Sequence, residues 1–374
     1  MDFEMDDDRV AVRDLAEKIF TDRATVDRVV DVETNHTGFD GELWQLVADS
    51  GLIGIAINED DDGAGLGALG MVTLLEQQGR RVAPLPLWSV IAGAALPLSK
   101  FGSAELKARW LPGLIDGSAP IAAAVDAAPG QLVTVRAERE GDSLVLHGEV
   151  ASVPGAPIAA ALVVPVDESG SPRLVVVPTD ADGVTVTPHA TTDRTSHGAV
   201  RLDGVRVAAT EVVAEGDEAL AWTLRRLRLA LAAVQLGVCE EALRMTAAYT
   251  SERVQFGRPL STNQAVAVRA ADAHLDTEAI RLTVHRAAWL LDEGREAEAE
   301  SATLVAKWWA SRGGLRVVHA TQHLHGGMGA DVDYPIHRYF LWGRQLAFTM
   351  GTADALAAEL GEELPGAPAI GAPA

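Results

Sequence analysis

The chain has 374 residues, 48% of them hydrophobic, which is enough to bury more than one core, so two or three domains are expected. A formal net charge of −22 excludes nucleic acid and anionic lipid as natural partners, and it requires any anionic ligand to be met by local cations. A single cysteine, Cys239, excludes an internal disulfide, no apolar run approaches the roughly 20 residues of a membrane helix, and the acidic start MDFEMDDDRVAVRD lacks a signal core; a cytoplasmic protein without a membrane span is expected.

In chain order, residues 9 to 118 carry apolar residues three and four apart in RVAVRDLAEKIF, GELWQLVADSGL, LGMVTLLEQQGRRV and AELKARWLPGLIDG, with glycine or proline near the ends. These predict an all-helical domain over 1–118. The texture then changes to short β-branched runs broken by glycine, proline and aspartate: QLVTVRAERE, SLVLHGEV, AALVVPV, RLVVVPT, GVTVTP and AVRLDGVRV. They predict a β domain over 119–212. Long helical patterns return from residue 218 and predict a bundle of antiparallel helices over 213–362. The remainder, 363–374, is rich in proline, alanine and glycine and is expected to be a flexible tail.

Two stretches of the last domain carry chemistry. In SERVQFG, Arg253, Gln255 and Phe256 put a cation, an amide and an aromatic at a helix end, followed by Asn263 and Gln264 where the next helix starts. A guanidinium suits a pyrophosphate because its fork of donors matches two phosphate oxygens; the competing reading is a plain helix C-cap, with Arg253 near the carbonyl end and Gly257 after it. In QHLHGGMGADVDYPIHRY, residues 322–339, a bend at Gly326 and Gly327 exposes backbone N–H groups and lets a diphosphate approach. His325 and His337 have no spaced cysteine or carboxylate set beside them, so no metal is expected.

Helices, then a small β domain, then a helical bundle resembles the acyl-CoA dehydrogenase family. So do QQGRRVAPLPLWSVIAGAALPLSKFGSAELKARWLPGLIDGSAPI, HGAVRLDGVRV, AYTSERVQFGRPLSTNQAV and HLHGGMGADVDYPIHRYFLWGRQLAFTMGT, which together span nearly the whole chain in the family's order. The resemblance implies a mostly α protein with a β middle domain: an N-terminal helical domain, a β-barrel-like middle domain and a C-terminal four-helix bundle. It implies FAD held with its flavin end against the β domain of one subunit and its ADP end against the bundle of the mate. Arg253, Gln255, Phe256, Asn263, Gln264, His323, Gly326, Gly327 and Thr352 are then the cofactor contacts. His323 stands where relatives carry glutamine, with Gln322 one position earlier.

Members of the family remove an α-proton with a glutamate while a hydride leaves to the flavin. At the two places the family uses for that glutamate, this chain has Met350 and Leu227, the latter followed by Arg228, so no catalytic base is expected. Glu240 and Glu241, further along the same helix, read as a solvated face or subunit contact, and Asp354 as a capping or ribose neighbour. The family's flavin-contacting segment falls on residues 125–132, where Gly130 survives, and its Trp-Ile-Thr element falls on Ser152, Val153 and Pro154. The resemblance is therefore to the non-catalytic partner subunit of heteromeric α2β2 actinobacterial dehydrogenases acting on steroid side-chain CoA thioesters. It implies FAD shared with a homologous catalytic subunit, which binds most of the acyl-CoA. The runner-up is an active homomeric flavoenzyme with a non-standard base, and a third reading is a ligand binder that has abandoned FAD.

Overall fold

A computed structural model describes residues 5–125 and 133–363, the last of these by its backbone alone. Gly130 and the flavin-segment expectation over 126–132 lie outside the described residues, as does nearly all of the predicted tail, 364–374. The first third is helical: α1 (Asp7–Arg23), α2 (Val26–Asn35), α3 (Gly41–Asp49), α4 (Gly67–Arg81), α5 (Leu87–Val90), α6 (Leu96–Phe101) and α7 (Ala104–Ile115). Asp6, Thr25, Asp40 and Ser103 start α1, α2, α3 and α7 by accepting a backbone N–H three residues on, as short oxygen side chains do at helix N-termini. A π-helical segment, Ile91–Ala95, joins α5 to α6.

The middle region holds β1 (Ile121–Ala123), β2 (Val135–Glu140), β3 (Ser143–Pro154), β4 (Ala161–Glu168), β5 (Ser171–Pro178), β6 (Val184–His189), β7 (His197–Ala208) and β8 (Val212–Glu215). Among the described residues these form one sheet in the order β6-β7-β3-β2-β4-β5-β8, with β1 also on β4. The pairings of β1 and β2 with β4 are parallel and the rest antiparallel. The sheet wraps a core of its own, built from Leu144, Leu146, Val150, Val200, Leu202 and Val205 with Leu162, Val164, Val175 and Val177. Alternate residues of the same strands, Val163 and Val176, face the helices instead, so β4 and β5 are apolar on both sides. The end strands β6 and β8 do not pair with one another, which leaves the barrel-like sheet open.

The last region is built from α8 (Asp217–Glu252), a short hairpin of β9 (Val254–Gln255) and β10 (Arg258–Pro259), α9 (Gln264–Asp292), α10 (Glu296–Leu324), α11 (Ile336–Phe348) and α12 (Ala353–Glu363). It joins the first region where α4 crosses α8. Two glycines set that crossing: a Cβ on Gly79 would overlap the backbone of Val234, and one on Gly237 the backbone of Glu76 and Arg80. The helices therefore meet backbone to backbone, and the core is continuous across the join.

Candidate functional site

The helix α8 ends at Glu252 with Arg253 as its C-cap, whose N–H donates to the carbonyl of Tyr249. Gly257 is not part of that cap, contrary to the capping expectation. It shares the tight turn between β9 and β10 with Phe256, and both have left-handed backbones, at φ 78° and 55°. Phe256, an aromatic in a conformation that L-residues adopt at a cost of about 1–2 kcal/mol, stands 96% exposed at the tip. Arg253 and Gln255 are exposed beside it. Asn263 is the N-cap residue of α9, but its side chain accepts a 2.6 Å hydrogen bond from Arg258 instead of capping; Gln264 opens the helix and is exposed.

The glycine turn lies at the same end of the bundle. Tyr249, one turn before the end of α8, stacks on His325 at 4.5 Å between ring centroids, and Tyr334 packs against both rings. A 3-10 turn, Gly326–Ala330, follows α10; Gly326 has φ 59°, and open space surrounds the position a Cβ would take at Gly326 and at Gly327. Gly329 is the tight one, against the carbonyl of Gln322, whose side-chain amide donates to the Gly329 carbonyl at 2.8 Å. Gln322 is thus spent on holding the turn, while His323 beside it is exposed. His325 and His337 are buried, each with Nδ1 2.8 Å from a backbone carbonyl, so Nδ1 carries the hydrogen. Burial pushes both pKa values down and keeps the rings neutral.

Leu227 and Met350, the two positions at which the resemblance places the missing glutamate, are both buried. Leu227 is fully buried, with a methyl where a Cβ on Gly93 of the π segment would fall 2.9 Å away, and its neighbour Arg228 is clasped by Glu359 through two 2.7 Å hydrogen bonds. Met350 is buried at φ 56° in the turn between α11 and α12, before Gly351 at φ 113°. Thr352, not Asp354, caps α12: its hydroxyl oxygen accepts from the N–H of Ala355 at 3.2 Å, while Asp354 sits exposed in the first turn.

Glu240 and Glu241 correct the reading of a solvated face, since both are buried where α4 and α9 flank α8. Glu240 is ion-paired with Arg80 and Arg281, yet burial and the nearby charge of Glu76 outweigh those cations and push its pKa up. Glu241 accepts two 2.7 Å hydrogen bonds from Arg244. In the β region the Ser152 hydroxyl lies 3.1 Å from His189 Nε2 and 3.1 Å from His197 Nδ1, with Val153 and Pro154 buried beside it. One hydroxyl hydrogen serves only one ring, so the other ring must donate to Ser152. Neither this triangle nor Lys307, fully buried in α10, was singled out by sequence reasoning, because both arise from residues distant in the chain.

Family models described as acyl-CoA dehydrogenase N-terminal domain and C-terminal domain match residues 6–118 and 214–364. The acyl-CoA dehydrogenase FadE27 of Mycobacterium tuberculosis is 36% identical over 337 residues, covering 88% of this chain and 90% of that protein. FadE28 of the same organism is 31% identical over 312 residues, 82% and 88% of the two chains. Among solved structures, a variant of the Tcur3481–Tcur3483 steroid ACAD superposes with a TM-score of 0.89 at 45% identity over 96% of this chain and 98% of that one. The ChsE4–ChsE5 complex from Mycobacterium tuberculosis gives 0.93 at 34% identity over 99% and 100%.

Proposed function

This chain belongs to the acyl-CoA dehydrogenase family, and from that premise we propose that it is the subunit of a heteromeric flavin-dependent enzyme that grips the ADP end of FAD without performing the deprotonation itself. The observation that carries this reading is the contrast between two sets of residues. Arg253, Gln255, Phe256 and His323 stand exposed at one end of the bundle beside the open turn at Gly326 and Gly327. The base positions hold buried, apolar Leu227 and Met350.

Fit to FAD divides the same way. Exposed guanidinium and open backbone N–H groups suit a diphosphate, with Asn263, Gln264 and Thr352 as further contacts. The β region offers Ser152 committed to two imidazoles and Pro154 without an N–H, a poor seat for an isoalloxazine ring. FAD, when bound, supplies the hydride acceptor. This chain binds and orients its nucleotide end, and a homologous subunit supplies the glutamate, the flavin pocket and most of the acyl-CoA contacts in an α2β2 assembly. The similarity to a steroid ACAD makes steroid side-chain CoA thioesters the proposed substrates. No helix among the described residues is long and apolar enough to cross a membrane, and a cytoplasmic setting accords with the lone buried cysteine.

Co-expression with a same-fold chain that carries the glutamate is expected to give a yellow, active complex, and this chain alone a colourless one. A yellow homomer that oxidises an acyl-CoA unaided would refute the reading. Arg253→Ala is expected to lower the flavin content of the complex several-fold. The alternative, an active homomer with a non-standard base, has the raised pKa of Glu240 on its side. Glu240 is nonetheless ion-paired with two arginines and about 20 Å along α8 from Leu227 at 1.5 Å per residue. Glu240→Gln separates the two: unchanged kcat in the complex fits the subunit reading, and abolished turnover in the isolated chain fits the alternative.

A further inference from the structure

Lys307 is 1% exposed, and no carboxylate pairs with it among the described residues. Its Nζ lies 2.7 Å from Ser311 Oγ, 3.0 Å from the Leu346 carbonyl and 3.5 Å from the Gly351 carbonyl. The Leu346 carbonyl is one of the last four of α11, which have no partner within the helix. Gly351 follows Met350, and both have positive φ, so this turn needs an outside hold. The charged groups around the amine are few. Arg228 of α8 faces it and is itself matched by Glu359 of α12, while α11 and the turn present only backbone carbonyls.

The hydrogen-bond inventory closes in both protonation states. An ammonium has three N–H groups for three oxygen acceptors. A neutral amine has two N–H groups for the Leu346 and Gly351 carbonyls and a lone pair that accepts the Ser311 hydroxyl hydrogen once that hydroxyl rotates. The carbonyls keep their donor either way. Ser311 also borders a surface depression of about 350 Å³ with Arg312, Phe348, Thr352 and Asp354, but it is itself buried and shields the amine from it. Burial pushes the amine down to about 7, so both forms are populated near neutrality.

We propose that Lys307 and Ser311 are a positioning pair that holds the α11–α12 turn, and Thr352 with it, in one geometry whichever protonation state the lysine occupies. Lys307 is a positioning residue, not a base, since its atoms reach only the turn. That Thr352 then meets FAD rests on the reading in the preceding section; the hold on the turn does not.

The test follows the four lysine side chains of the full chain, in the assembly with which it purifies, by NMR of 13Cε-labelled lysine. The resonance absent from Lys307→Met identifies Lys307. A titration midpoint near 7 is expected, displaced downward by about one unit or more in Ser311→Ala, because the ammonium then lacks one acceptor in a dry site whereas the amine loses only a donor to its lone pair. Amide exchange over residues 349–353, corrected for intrinsic chemistry, should be flat across neutral pH in the wild type and rise about tenfold or more in Lys307→Met. A midpoint that ignores Ser311→Ala overturns the proposal, as does exchange at the turn that is unchanged by Lys307→Met. Should Lys307→Met fail to fold, Lys307→Arg serves for the assignment, and the Ser311→Ala titration still decides. Wild-type complex that never holds FAD sinks the functional reading instead, and leaves these two readouts standing.

Discussion

Lys307 carries an ionisable amine into a site without a counter-ion, and this makes stability depend on pH. Its folded pKa of about 7 lies below the ordinary 10.5, so between those values the unfolded chain holds one more proton than the folded one and stability rises with pH. Its share of the slope is about 1.4 kcal/mol per pH unit. Chemical denaturation at several pH values in that window is expected to show a shallower slope in Lys307→Met than in the wild type; identical slopes would mean that the lysine is not buried as described. Phe256 gives the opposite case, an apolar side chain held out into solvent. Phe256→Ala removes no packing within this chain, so its stability should barely change while flavin retention by the complex falls.

At the scale of elements, the α4–α8 crossing and the Leu227 plug each decide what this chain can do. Gly237→Ala places a methyl against the backbone of Glu76 and Arg80, and it should cost about 1–3 kcal/mol in unfolding free energy, since neither helix backbone can retreat without moving the core. Leu227→Glu restores the carboxylate that sequence comparison finds missing. It buries that charge between the π segment and β1, where Gly93 and Ala123 meet, so it should destabilise the chain without adding an active site to the complex. Extra turnover per complex in that variant would show that the site lost only its base and kept its cavity.

At the scale of the whole molecule, one carboxylate ties the three regions together. Glu33 of α2 accepts from Arg338 of α11 at 3.2 Å and from Arg194, in the loop between β6 and β7, at 3.1 Å. The Glu33 and Arg338 side chains are only 6% and 5% exposed, so Glu33→Ala leaves a buried guanidinium unpaired and should cost about 3 kcal/mol or more, read as a lowered midpoint of denaturation. An unchanged midpoint would mean that Arg338 finds water instead.

Most long helices and the strands from β2 to β7 were legible because each buries one face at its own period. Helix α2 is rich in β-branched valine, which blurs its helical signal, and around the π segment that joins α5 to α6 nearly every residue is buried, which erases periodicity. The sequence by itself determined the inventory: which positions lack an acid, where the glycines bend the chain, and where a cation and an aromatic follow a helix end. Only the tertiary structure decided that Glu240 is sealed between helices, that two distant histidines share Ser152, and that Lys307 holds a turn. Burial and pairing are set by segments far apart in the chain, and a local pattern carries no record of what will cover it.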